Sequence, residues 1–378
     1  ERMGHAGNIA NVLNNLANAQ QVRGEHERAL ATFERALSSA QRAGSRRLQA
    51  IIWAGKGDVY RETACWEDAL RAYNEAWQLA ESLRDLSLLG YLLNATAEVH
   101  RARGEYAQAL ALARRAYEQA TERGLTRDAA RYEVTLAKLY LEQGHPPLAL
   151  EYLQRAEQTF SRGGMRRELP MVWLQLARVA WARREDGVAL DNVRRMAEAA
   201  TELGHSYALI QEAARALEVL ELAARAGVGG EFVADLVRRA RRSLLEERSQ
   251  PTSQAGEPTP LRLRIVGLGD SSVWVNDRLL STADWGAAKA KEFFFYLVSF
   301  PARRKEQIGA VLWPDLSSGR LRSAFHVTLY RVRRALGIND SVLYENDQYF
   351  FNRQLEYQFD VEEFESLVAQ AEQVASLR

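Results

Sequence analysis

The sequence predicts a mainly α chain, a helical solenoid of forty-residue repeats followed by a small α+β domain. Three observations carry this expectation. A dipeptide recurs at a fixed interval of forty residues through the first half of the chain. A stretch rich in Ser, Thr, Gln and Pro then interrupts the pattern. Beyond it come alternating apolar residues, three amphipathic stretches and a pair of short apolar runs.

The interval is the strongest of the three. Ala29-Leu30 returns as Ala69-Leu70, Ala109-Leu110, Ala149-Leu150 and Ala189-Leu190. Four residues after each Ala stands Phe33, Tyr73, Ala113, Leu153 or Val193, and seven after stands Ala36, Ala76, Ala116, Ala156 or Met196. Five copies in one register without an insertion mark a solenoid. Each unit resolves into two helices. In the second, Trp53, Gly57 and Tyr60 share a helical face, a break falls near Ala64-Cys65, and Ala69, Tyr73 and Ala76 line the next helix. Gly24, Gly104 and Gly144 end first helices, and Pro146-Pro147 opens a second.

These residues resemble the tetratricopeptide repeat, whose Trp, Leu, Gly, Tyr, Ala, Phe, Ala pattern the second unit nearly completes. Other units match in part, through Leu13, Leu16 and Ala17, Leu93 and Ala97, Leu136, Ala137 and Tyr140, then Trp173, Leu176 and Ala177. The period exceeds the common 34 residues. Longer helices of this kind resemble the repeats of large bacterial signal-responsive activators of the maltose-regulon-activator kind. A degenerate pair, about 206–247, is expected to cap the stack. The TPR-like domain is thus read over 1–247.

Its concave surface is expected to carry Asn11, Asn14, Asn15 and Asn18, then Asp58, Arg61, Asn94, Arg101, Lys138 and Arg178. Asn amides can bond a peptide backbone, and Arg or Lys can hold a carboxylate or phosphate. The same residues could equally be solvated polar faces. The expected occupant is an unknown small ligand, peptide or protein.

Residues 248–260 read as a flexible linker. From 261 to 378 the character changes. Leu261, Leu263 and Ile265 alternate with Arg262 and Arg264, and Val273 and Val275 lead through Asn276-Asp277 into Arg278-Leu279-Leu280. Helices are expected over 287–300, 305–312 and 319–336, then a hairpin from Val342-Leu343-Tyr344 and Tyr349-Phe350-Phe351. Strands, three helices and a hairpin give the order of a winged helix. In the third helix Leu321, Phe325, Leu329, Val332 and Leu336 form the apolar stripe.

The strings KAKEFFFYLVSF, IGAVLWPD and LRSAFHVTLYRVRRALG resemble the OmpR-type winged helix in its SARP variant, over about 261–366. FDVEEFESL resembles the start of the helical activation domain that follows in that family, expected here to be absent or only begun. The resemblance implies double-stranded DNA as partner, dimers on tandem half-sites, and RNA polymerase at the loop Asp315, Leu316, Ser317, Ser318. A plain connector is the other reading of that loop.

An Arg on a helix in the major groove can donate two parallel bonds to guanine O6 and N7. Arg331 is the leading candidate, with His326 and Ser323 behind it and Thr328 and Tyr330 beside it. Arg303, Arg304, Lys305, Arg320, Arg322, Arg331, Arg333 and Arg334 face only two acids between positions 303 and 334, Glu306 and Asp315. Such a local excess suits phosphate neutralisation, although the whole chain carries a net charge of +1. At the tip, Asn346, Asp347 and Gln348 stand where the family's wing carries an Arg; Asn346 and Gln348 are its candidate contacts.

Bulk properties set the remaining bounds. With 378 residues, 47% hydrophobic and 26% charged, the chain exceeds one core and reads as globular. No apolar run approaches the roughly 20 residues of a membrane helix, and no secretory signal opens it. Cys65 stands alone, which excludes a disulfide within the chain and a Cys-rich zinc site and makes a reduced cytoplasm the expected setting. The six His are scattered, Gly55-Lys56-Gly57 lacks phosphate-loop spacing, and no serine elbow occurs. No catalysis, metal or cofactor is expected. The helical start at Glu1 suggests a C-terminal piece of a larger activator, one whose relatives place an ATPase before the repeats. The function so predicted is a transcription regulator, most simply an activator, whose array senses and whose winged helix reads promoter DNA. The alternative is a scaffold in which that domain meets proteins.

Overall fold

The computed structural model describes residues 2–203, 207–248, 262–316, 318–345 and 347–376. Most of the expected linker, with Leu261, lies outside the described residues. Two compact units divide the chain, Glu1–Leu245 and Glu246–Arg378.

The first unit is a run of antiparallel helices: α1 (Arg2–Val22), α2 (His26–Arg42), α3 (Arg46–Glu62), α4 (Trp66–Ser82), α5 (Leu86–Ala102), α6 (Tyr106–Glu122), α7 (Thr126–Glu142), α8 (Pro146–Arg162), α9 (Leu169–Ala182) and α10 (Asp186–Leu203). Their spacing halves the sequence ruler to twenty residues. Left-handed backbone falls at Gly24, Gly44, Ala64, Arg84, Gly104, Gly124, Gly144, Gly164 and Arg184, one every twenty. The next residue's amide reaches back five positions, as Glu105 N does to His100 O at 2.9 Å and Asp85 N to Ala80 O at 2.9 Å, closing each helix end.

Gly104 meets that backbone without strain, whereas Arg84 holds φ 52° with a side chain. Arg84 is exposed. Arg84→Gly is therefore expected to stabilise the array by about 0.5–1 kcal/mol, the strain relieved less the glycine's added unfolded-state entropy. A rise in the denaturant midpoint checks this; a fall would show that the arginine side chain contributes more than the strain removes.

Close helix approach uses small residues, as the sequence suggested. A Cβ at Gly57 would lie 2.3 Å from Tyr73 Cε1. The repeat alanines Ala29, Ala36, Ala69, Ala76, Ala109, Ala116, Ala149, Ala156 and Ala189 are all buried.

After α10 the regular pattern ends. Over the segment expected to cap the stack come α11 (Tyr207–Ala213), a 3₁₀ turn (Ala214–Ala216), α12 (Leu217–Arg225) and α13 (Gly230–Arg248). Leu209, Ala213, Leu220, Val233 and Leu236 join Leu174, Val193 and Met196 in one apolar cluster.

The second unit opens with β1 (Leu263–Val266), β2 (Ser272–Val275) and β3 (Arg278–Leu279), then a short α14 (Thr282–Trp285). Next come α15 (Ala288–Ser299), α16 (Lys305–Leu312), α17 (Ser318–Leu336), the hairpin β4 (Val342–Glu345) and β5 (Gln348–Phe351), β6 (Tyr357–Phe359) and α18 (Asp360–Ser376). The expected order is present, with α14 and β6 added. β6 pairs in parallel with β1, Leu263 opposite Tyr357, and completes a sheet ordered β3-β2-β1-β6. The core stacks Phe293 edge-on to Phe325 at 5.1 Å and Phe325 against Tyr349 at 4.6 Å. Arg303 N donates to Tyr349 O at 3.0 Å and Tyr349 N to Arg303 O at 2.8 Å, so the strand before α16 extends the hairpin.

Among the described residues no helix is long and apolar enough to cross a membrane.

Candidate functional sites

Two groups of polar residues stand out, one in each unit. In the array the first helix of each pair repeats the same slot every forty residues: Asn18, Asp58, Glu98, Lys138 and Arg178. The sequence reading named every member except Glu98, which the ruler itself could have supplied. Around this slot the structure builds a buried ionic group from α5, α7, α9 and α11. Arg101 Nε donates to Glu98 at 2.8 Å and Nη1 to Glu142 at 2.5 Å, while Nη2 pairs with Glu212. Lys138 Nζ sits 3.3 Å from Glu98 and 3.2 Å from Glu212. Arg178 lies 3.9 Å from Glu212 and donates to Gln175 at 2.7 Å.

Arg101 is 4% exposed, Lys138 8% and Glu212 5%, so these are not solvated faces. Burial by itself would push the Glu98 carboxyl up, but Arg101 and Lys138 outweigh it and hold it down at about 2. The same contest at Glu212, won by Arg101, Lys138, Arg215 and Arg178, holds that carboxyl far below the usual range. Arg178, with less compensation, has its guanidinium pulled down by burial.

A neighbouring group joins α3, α4 and α5. Tyr73 donates its hydroxyl to Asp58 at 2.8 Å, Tyr91 donates to the other oxygen, and Arg61 Nε donates to Tyr73 Oη at 3.3 Å. Burial raises the Asp58 carboxyl against the pull of Arg61 and the two hydroxyls. Of the asparagines, Asn11 and Asn15 are exposed, Asn18 and Asn94 half-buried, and Asn14 buried. Tyr91, Glu98, Glu142 and Glu212 escaped the sequence reading. Glu212 gave no signal, because it lies past the end of the ruler.

In the second unit α17 turns Phe325, Leu329, Val332 and Leu336 into the core. It crosses α16 where Gly309 leaves room: a Cβ there would lie 2.3 Å from Leu321 Cδ2. Arg334 is exposed, and Arg331, Tyr330, His326 and Val327 are half-buried. Arg331 lies against the end of α14, its Cδ and Nε 3.9 Å from where a Cβ of Gly286 would stand. Val327 shares a side of the helix with Arg331 and Arg334 at helical spacing.

Two named residues are placed elsewhere. Arg333 is 5% exposed and its Nη2 donates to Val342 O at 2.7 Å, so it anchors the hairpin from inside. Thr328 is buried and returns its hydroxyl to Ala324 O at 2.7 Å within the helix. Arg303 is half-buried; Arg304 is exposed, 3.8 Å from Asp347 at the hairpin tip; Lys305 lies 3.7 Å from Glu306. Gln348 is half-buried opposite Glu345. Asp315 is exposed, and Leu316 N donates to Trp313 O at 3.2 Å. Ser317 and Asn346, with the side chains of Ser318, Arg320, Arg322 and Ser323, lie outside the described residues. Among the described residues no group of three or more His, Cys, Asp or Glu could hold a metal ion.

The pairing of seventeen-residue helices around alanines at fixed slots is what a repeat family requires. Residues 8–82 and 88–162 match the tetratricopeptide repeat. The matched tetratricopeptide repeats run from within α1 to the end of α4, and from within α5 to the end of α8. Such repeats are interaction modules whose concave faces take proteins, peptides or ligands. No curated protein matches the chain. Among solved structures, BtubC (BKLC) from P. vanneervenii is 19% identical, with 61% of this chain and 96% of that one covered and a TM-score of 0.42. A Rap protein complexed with competence and sporulation factor is 12% identical, with 62% and 76% covered and a TM-score of 0.49. PilF of Pseudomonas aeruginosa is 19% identical, with 67% and 96% covered and a TM-score of 0.39.

Proposed function

We propose that the chain is a cytoplasmic transcription regulator, in which the tetratricopeptide-repeat array receives a partner and α17 reads DNA from the major groove. One observation carries the DNA half. α17 packs an apolar stripe inward, is held across α16 at Gly309, and leaves Arg334 exposed and Arg331 and Val327 half-buried on its other side, beside a two-stranded hairpin. A helix so presented fits a groove about 12 Å wide, with arginine for guanine and valine for a thymine methyl. The connector with Asp315 and Leu316 follows α16 and is assigned to RNA polymerase. Two such domains on tandem half-sites would make a dimer on DNA.

The scaffold reading keeps one observation of its own. Arg333 is taken up by the core and Arg304 stands near Asp347, so the basic face is smaller than composition suggested. The full chain with duplex promoter fragments separates the two. Affinity is expected to fall steeply with salt, and Arg331→Ala with Arg334→Ala to lower it about 100-fold or more, each contact contributing about 1–3 kcal/mol. Unchanged affinity in that double variant, with the unit still folded, would leave the scaffold.

A further inference from the structure

We propose that the concave face of the array binds an acidic peptide segment of a partner protein, and that α11 occupies this site as an internal stand-in through Glu212. The inference rests on reading the array as the receiving surface and names what it receives.

The charges set the ligand's sign. Without Glu212, the buried group keeps Arg101, Lys138 and Arg178 against Glu98 and Glu142, three cations to two carboxylates. A buried excess of positive charge calls for an anion. Glu212 supplies it from 111 residues away in sequence, touching Arg101. The far side of α11 is tied by Gln211, whose amide donates to the backbone oxygen of Glu62 at the end of α3. α11 has seven residues where its neighbours in the stack have fourteen or more, and polar atoms make both of these long-range ties.

The remaining polar atoms set the ligand's class. Glu142 Oε2, Asn14 Oδ1 and Asn94 Oδ1 are buried and accept no hydrogen bond among the described residues. A carboxylate oxygen takes only a donor, and acceptors stay unmet on α1, α5 and α7. Inorganic phosphate brings only one or two P–OH donors on a single centre at neutral pH, too few for oxygens on three helices. A peptide brings a carboxylate for the cations and backbone N–H groups for these oxygens.

A fluorescein-labelled peptide with the sequence of residues 207–214, YALIQEAA, whose single charged side chain is the glutamate, is the probe, with fluorescence anisotropy on the full chain. The Glu212→Gln chain should bind it at least ten-fold more tightly than the wild type, because its own stand-in is weakened. The Glu212→Gln peptide should bind neither. Gln211→Ala, which loosens α11 without changing any charge, should also tighten binding and serves if the first variant misfolds. Hydrogen exchange at 207–213 should speed up when the peptide binds. Equal affinity of wild-type and loosened chains, or of the two peptides, overturns the proposal. So does displacement of the peptide by inorganic phosphate or duplex DNA at matched charge. No outcome depends on DNA recognition, so this test can fail while the DNA reading stands.

Discussion

Glu34→Ala is expected to destabilise the array by about 3–5 kcal/mol, the usual penalty for breaking a buried ion pair on one side. Glu34 on α2 pairs with Lys56 on α3, and their side chains are 3% and 1% exposed. The Lys56 ammonium also lies 4.1 Å from the centre of the Trp53 ring, a contact that attracts the cation but does not neutralise it. Removing the carboxylate leaves this ammonium at the seam between α2 and α3, where a Cβ at Gly55 would lie 2.6 Å from Phe33 Cζ. The paired replacement Glu34→Met with Lys56→Met should be close to neutral, because a buried pair exchanged for apolar residues of like volume often is. Denaturation of the array checks both. A loss below about 1 kcal/mol in Glu34→Ala would mean that water reaches the ammonium.

The second large effect separates two adjacent arginines that a sequence cannot tell apart. Arg333→Ala removes a buried charged donor from Val342 O and is expected to destabilise the second unit by about 2–3 kcal/mol. Its effect on DNA affinity would then follow from the hairpin coming loose. Arg334→Ala, on the exposed side, is expected to change stability by less than about 0.5 kcal/mol while weakening DNA binding by about 1–3 kcal/mol. Melting and DNA titration of the two variants side by side give the comparison. A stable Arg333→Ala protein would return that residue to the surface and restore the larger basic face.

The forty-residue ruler was legible because small and aromatic residues repeat where helices meet. Its twenty-residue subdivision was read where glycine marks the turn, at Gly24, Gly104 and Gly144, and near Ala64-Cys65, and missed at Arg84 and Arg184, whose residue type announces no turn. In the ladder Asp58, Glu98, Lys138, Arg178 only Glu98 was missed, although it stands forty residues from its neighbours on either side. What decided the site was α11, which follows the last intact repeat and whose burial against α5 and α7 has no local signal. In the second unit the core stripe of α17 and the order of elements followed from periodicity. The short parallel strand Tyr357–Phe359 did not, because three residues are too few for alternation to show. Arg333 shows the same limit, since its partner is a carbonyl that only folding brings near.

A stack of repeats ordinarily behaves like a row of dominoes, each feeling its two neighbours and free to open from either end. The ionic knot around Glu212 changes that arithmetic. It fastens the segment beyond the last repeat to the third and fourth pairs, so opening the C-terminal end also disturbs the middle. A signal arriving at the concave face would then reach the trailing end of the array in a single step, without passing from unit to unit.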